Sequence, residues 1–139
     1  MARPLFVYMK KQHIGTIPGM AEFIAQEEMD RDTGYWWSPD ERMIALTRVD
    51  ESTVDEVERF EIYAETVRVI RQRYPAAGRP NARVDLWVAT LAGAATSLRE
   101  LPAAAASEGY LARVAWFPDS RALAVQRQTR DQKRLELLK

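Results

Sequence analysis

Trp37-Ser38-Pro39-Asp40, followed by Arg42-Met43-Ile44-Ala45-Leu46, returns later in the chain as Trp116-Phe117-Pro118-Asp119, followed by Arg121-Ala122-Leu123-Ala124-Val125. The two copies stand 79 residues apart in one register. Each reads as strand, tight turn, strand. A tryptophan closes the first strand. Proline presets φ at the first turn position, and aspartate bonds its own backbone within the turn. An apolar strand then returns.

Outward from these hairpins, further stretches carry strand signals. Residues 59–63 and 66–70 are rich in β-branched and aromatic side chains. Residues 82–88 place Val84, Leu86 and Val88 on one face, and residues 133–138 do the same for Leu135 and Leu137. Residues 110–116 form a less regular strand. Turn signals fall at Pro75-Ala76-Ala77-Gly78, Arg79-Pro80-Asn81 and Ala92-Gly93, and 103–106 read as a loop between Pro102 and Gly109. Short strands with frequent turns and a recurring hairpin predict an all-β chain built like blades of a propeller, each a four-stranded sheet of about 40 to 50 residues. A spacing of 79 residues fits either one blade plus an insertion or two blades with one degenerate hairpin. A closed ring takes roughly four to eight blades, so the expectation is a partial propeller.

Composition narrows the function classes. The chain has 139 residues, 47% of them hydrophobic, enough for one domain with a real core. Lys plus Arg equals Asp plus Glu at 20 each, which argues against gripping nucleic acid or an anionic membrane by bulk charge. The absence of cysteine removes disulfides, thiolate metal sites and cysteine nucleophiles. No apolar run approaches the roughly 18 to 20 residues of a membrane span, and the apolar stretch 4–9 is too short for a signal-peptide core. Read alone, the chain is expected to be cytoplasmic.

The segment 21–45 resembles the N-terminal propeller domain of the dipeptidyl peptidase IV family. The likeness rests on Glu22-Phe23-Ile24-Ala25-Gln26-Glu27-Glu28-Met29, then Asp30-Arg31-Asp32-Thr33-Gly34-Tyr35, then Trp36-Trp37-Ser38-Pro39-Asp40. It continues through 54–78, ending Arg73-Tyr74-Pro75-Ala76-Ala77-Gly78, which is similar to the family's extended arm. Arg113-Val114-Ala115-Trp116 and residues 126–132 resemble the next blade of bacterial members. Residues 21–139 are thus read as a partial propeller of about two antiparallel blades plus a projecting β arm. Residues 1–20 match poorly, with Lys10-Lys11-Gln12-His13 interrupting an expected blade.

In this family two consecutive glutamates bind the protonated α-amine of a peptide substrate, and Glu27 and Glu28 match them. The chemistry suits the residues. An ammonium has three donors and no acceptor, and two carboxylates accept charge-assisted hydrogen bonds from it. Fixing the amine also fixes which peptide bond meets a nucleophile, so an exopeptidase releases dipeptides. Consecutive residues converge only from a helical turn or irregular backbone, expected at 25–30. Without the resemblance, Glu27-Glu28 reads as a solvated acidic patch.

No catalytic residue is assigned. His13 is the only histidine, and no Gly-x-Ser-x-Gly elbow accompanies it. The resemblance implies a serine peptidase whose triad lies in a C-terminal α/β-hydrolase domain absent here, and the family's upstream substrate-orienting arginine is not identifiable. Glu22, Asp30 and Asp32 lack the His or Cys partners and the spacing of a metal site; neither metal nor cofactor is expected. Trp36 and Trp37 are read as packing aromatics on opposite faces, and Arg68, Arg71 and Arg73 as a solvated arm. The expected function is substrate recognition in an exopeptidase, with the chain itself inactive. The partners implied are a peptide with a free N-terminus and a second copy through the arm 54–78. The alternatives are a non-catalytic β interaction module and a truncated gene remnant. Family members are usually periplasmic, secreted or membrane-anchored.

Overall fold

The computed structural model describes residues 16–92, 95–102 and 109–139. Along the chain run β1 (Thr16–Pro18), α1 (Phe23–Glu28), β2 (Tyr35–Trp37), β3 (Met43–Asp50), β4 (Glu56–Ile62), β5 (Val67–Arg73), β6 (Arg83–Ala92), β7 (Ala95–Glu100), β8 (Gly109–Trp116), β9 (Leu123–Thr129) and β10 (Leu135–Leu138). His13, Lys10 to Gln12 and the loop 103–106 lie outside the described residues.

Both copies of the repeat form hairpins, one between β2 and β3 and one between β8 and β9. The turns superpose chemically. Ser38 N–H donates to Met43 O and Glu41 N–H to Ser38 O, each at 2.9 Å; Phe117 donates to Ala122 O and Ser120 to Phe117 O at the same distance. Asp40 and Asp119 accept the N–H of Arg42 and Arg121 at 3.2 and 3.0 Å. Glu41 and Ser120 take up φ of 58° and 59°. A third turn between β9 and β10 repeats the pattern, with Gln132 at φ 58° and Asp131 accepting Lys133 N–H at 3.2 Å. It has neither Trp nor Pro, so its likeness is invisible to a search on those letters.

The strands form an antiparallel blade, β2-β3-β6-β7, with β1 beside the far end of β3. β3 and β6 pair from Met43↔Thr90 to Asp50↔Arg83. Between them in sequence, but outside their sheet, β4 and β5 form the two-stranded arm. The spacing of the repeat therefore comes from one blade plus an insertion. The second blade is the antiparallel sheet β10-β9-β8, with a bulge between Leu111 and Arg113 on β8. The chain is thus a nearly all-β partial propeller, as expected; β7 went unread because its residues, Ala95-Thr96-Ser97-Leu98-Arg99-Glu100, lack an apolar alternation.

The core lies between the two blades. Ala45 and Val49 of β3 and Val84, Leu86 and Val88 of β6 meet Leu111 and Val114 of β8 and Leu123 and Val125 of β9. Trp36, Met43, Trp116 and Leu138 pack at its margin. Period-two alternation does this directly on β3, β6 and β9, and the bulge on β8 brings Leu111 and Val114 to one side despite their odd spacing. On β2 alternation sends Trp36 inward and leaves Tyr35 and Trp37 exposed. On β10 it leaves Leu135 and Leu137 in solvent, while Leu138 reaches the core. The copies of the repeat also touch each other: Trp116 Nε1 donates to Trp36 O at 2.9 Å, and Asp40 N–H to Ser120 Oγ at 3.1 Å.

Candidate functional site

Residues 19–34 leave blade 1 and return to it, carrying α1. Thr47 of β3 pins both ends. Its Oγ1 donates toward Met20 O at 2.8 Å and Gly34 O at 3.2 Å, its N–H to Gly34 O at 2.7 Å, and its carbonyl accepts Gly19 N–H at 2.8 Å. Gly34 is required by this close approach. A Cβ there meets Thr47 Oγ1 at 2.1 Å and Met20 O at 2.4 Å.

α1 is six residues long and ends where Asp30 enters the left-handed region at φ 50°. That reversal brings Arg31 back beneath the helix. Arg31 is 7% exposed and its partner Glu22, the residue preceding α1, 6%. Arg31 Nη2 donates to Glu22 Oε2 and to Leu111 O, Nη1 donates to Thr33 O, all at 3.1 Å, and the guanidinium lies 5.8 Å from the Trp36 ring centroid. Its Nε is buried without a partner. Removing one member of such a buried pair leaves an uncompensated charge, a loss of about 3–5 kcal/mol. Sequence reading weighed Glu22 only as a metal-ligand candidate. Its carboxylate is instead engaged by Arg31, and among the described residues no group of His, Asp or Glu side chains is arranged to hold a metal.

Of the helical turn or irregular backbone expected at 25–30, a helical turn is present, two residues earlier, and Glu27 and Glu28 occupy its last turn. Both are exposed, and neither is engaged in an ion pair or hydrogen bond with a described residue. Consecutive helical positions lie about 100° apart, so the two carboxylates leave one stretch of backbone in different directions. Glu28 and Met29 border a cavity of about 640 Å³, whose other walls include Phe23, Tyr74 from the base of the arm, and Tyr110 and Arg130 from the second blade. Phe23 and Tyr74 meet edge to face, with centroids 5.3 Å apart. Arg130 Nη2 donates to Arg79 O at 2.5 Å, linking the second blade to the segment that follows the arm. Tyr74, Tyr110 and Arg130 were not singled out from the sequence, because nothing local marks residues from three distant segments as neighbours.

The exposed arm carries two kinds of side chain on one face. Toward its base Glu56 opposes Arg73 and Glu58 opposes Arg71, the latter pair at 3.3 Å. Toward its tip Phe60 opposes Val69 and Ile62 opposes Val67. All four apolar residues are exposed, Ile62 to 79%.

Among the described residues no helix is long and apolar enough to cross a membrane. The sequence profile described as the Dipeptidyl peptidase IV (DPP IV) N-terminal region matches residues 12–139. Mouse dipeptidyl peptidase 8 is 34% identical over 122 residues, a match covering 74% of this chain and 14% of that protein. Rat inactive dipeptidyl peptidase 10 is 30% identical over 108 residues, covering 74% and 13%. The crystal structure of Porphyromonas gingivalis dipeptidyl peptidase 4 superposes with a TM-score of 0.74 at 27% identity, over 88% of this chain and 17% of that one.

Proposed function

Since the chain belongs to the family of dipeptidyl peptidase IV N-terminal regions, we propose that it is the substrate-recognition part of a serine exopeptidase, in which Glu27 and Glu28 bind the free N-terminal amine of a peptide. The observation that carries this reading is the pair itself: two adjacent exposed carboxylates, unengaged by any described cation, on a helix within an excursion pinned at both ends, with Glu28 bordering a cavity. An incoming ammonium supplies the donors that both carboxylates lack. The chain spans about one seventh of the length of these curated relatives. We assign bond cleavage to a C-terminal α/β-hydrolase domain of the parent protein, so the chain itself binds and does not hydrolyse.

The test compares a short peptide with its N-acetylated form by NMR titration. Charge-assisted hydrogen bonds contribute roughly 1.5–3 kcal/mol each, so the free amine is favoured by about 10-fold or more. Glu27→Gln with Glu28→Gln removes that preference. Equal binding of the two peptides by the unsubstituted chain refutes the reading.

A second reading concerns the arm. The exposed apolar tip formed by Phe60, Ile62, Val67 and Val69 supports a homodimer contact through residues 54–78. Light scattering is expected to find a dimer that Phe60→Asp converts to monomer. A monomeric parent chain at high concentration counts against it.

A further inference from the structure

We propose that Arg31 is the positioning residue of the amine site: it fixes the rotation of α1 and thereby the direction in which Glu27 and Glu28 present their carboxylates. The inference rests on the amine-binding reading and adds to it the device that aims the pair.

α1 has little of its own to define its pose. A helix of six residues is far below the length at which isolated helices persist. Glu22 at its N-cap makes no capping bond with its side chain, the first turn holds no acid, and the last turn holds no base. Ala25 is fully buried and Gln26 Nε2 donates to Ala21 O at 2.5 Å, and the rest of the pose comes from outside the helix. The Arg31 guanidinium takes the carboxylate of Glu22 at the helix entry, and the backbone N–H of Arg31 donates to Ala25 O, in the middle of the helix, at 3.1 Å. The same guanidinium ties the assembly to the second blade through Leu111 O, at the point where β8 bulges and its register with β9 shifts. Thr33 O takes a third bond. A planar fork with several donors serves three acceptors in different directions, and a lysine ammonium on a flexible stem does not reproduce this.

The geometry of the pair makes such fixation matter. Because Glu27 and Glu28 lie about 100° apart around the axis, a modest rotation of α1 turns one carboxylate away from a shared ammonium. Holding both on one amine requires the helix to be set before the peptide arrives.

The experiment uses the full chain, tetra-alanine and N-acetyl-tetra-alanine, and the variants Arg31→Met and Arg31→Lys, alone and combined with Glu27→Gln/Glu28→Gln. Amide hydrogen exchange across Ala25–Met29 reports the clamp, and the ratio of the two peptides' affinities reports the aim. Arg31→Met is expected to speed exchange in α1 at least 10-fold while β3 and β6 stay protected, and to lower the amine preference at least 5-fold. Arg31→Lys falls between. In the Glu27→Gln/Glu28→Gln background, which has no amine preference left to lose, Arg31→Met leaves the affinity ratio unchanged, and the discrimination from a merely structural role rests on the partial rescue by Arg31→Lys. Unchanged α1 exchange in Arg31→Met overturns the proposal. So does faster exchange with the amine preference intact, which leaves the amine reading standing. Wild-type indifference to acetylation overturns the amine reading and this proposal together. If Arg31→Met unfolds, as loss of protection in β3 and β6 reveals, Arg31→Lys supplies the same comparison, and a lysine variant identical to wild type in both readouts overturns the proposal.

Discussion

The pair β3–β6 and the pair β4–β5 are both antiparallel ladders, and one is inserted in the other's connection, yet they are stabilised differently. In β3–β6, Val49 opposes Val84 and Ala45 opposes Val88, and these residues disappear into the core against the second blade. Burial at about 25 cal/mol per Å² of apolar surface dominates there. In the arm no neighbouring sheet covers Phe60 and Val69 or Ile62 and Val67, so their contacts are cross-strand pairs worth roughly 0.2–1 kcal/mol each. An isolated hairpin is marginal on such pairs alone. The arm is also tied at its base, where Arg73 Nη1 donates to Val54 O at 2.5 Å, Tyr74 N–H to Asp55 O at 3.0 Å, and Arg79 pairs with Asp55 at 2.6 Å. Strand composition alone does not tell a structural ladder from a presented one; what lies across the face does.

The largest effect that sharpens this contrast is expected from truncating each ladder. Leu86→Ala removes a side chain buried completely in the core and is expected to lower unfolding stability by about 2–5 kcal/mol in urea denaturation. Phe60→Ala on the arm is expected to change it by about 0.5 kcal/mol or less. Equal losses would mean that the arm packs as part of the core. Gly34→Ala is intermediate. Its Cβ runs into backbone at Met20 O, and the cost of overpacking is about 1–3 kcal/mol. Because Gly34 closes the excursion carrying α1, amine preference is expected to fall with it, whereas Phe60→Ala leaves that preference unchanged.

The smallest effect concerns the turns. The Ser38 hydroxyl, at 2.6 Å, and the Arg42 N–H hold the carboxyl of Asp40 below its ordinary value of 3.8. The Thr129 hydroxyl and Lys133 N–H do the same for Asp131. A folded-state value below the unfolded one adds stability that is present above the unfolded value and lost as pH falls through the folded one. Asp40→Asn with Asp131→Asn is therefore expected to melt slightly lower than wild type at neutral pH. The difference should close as the pH drops below about 4. A gap that persists in strong acid would show that the aspartates act through something other than charge.

Much of the fold was legible. The Trp-x-Pro-Asp hairpins carried turn chemistry and alternation together, and Val84, Leu86 and Val88 announced their face. The third turn was not legible, because Thr129-Arg130-Asp131-Gln132 reaches the same backbone form with different letters. The Glu27–Glu28 pair drew attention through the residues around it, and a helical turn was one of the two backbone forms expected there, the other being irregular backbone. The walls of the neighbouring cavity were hidden, since Tyr74, Tyr110 and Arg130 come from the base of the arm, a strand and a turn whose approach no local pattern encodes.

By itself, then, the sequence determined the strand–turn–strand units, the inward faces and the family resemblance, because turn chemistry and period-two alternation are local properties of a chain. Tertiary structure decided that Leu135 and Leu137 face solvent, that Glu22 meets Arg31 rather than a metal ion, and that β4 and β5 stand outside the blade. Each of these depends on which surface arrives opposite. Burial, pairing and the aim of a carboxylate belong to two segments at once, and the second lies as many as 80 residues away, as Leu111 O does from Arg31.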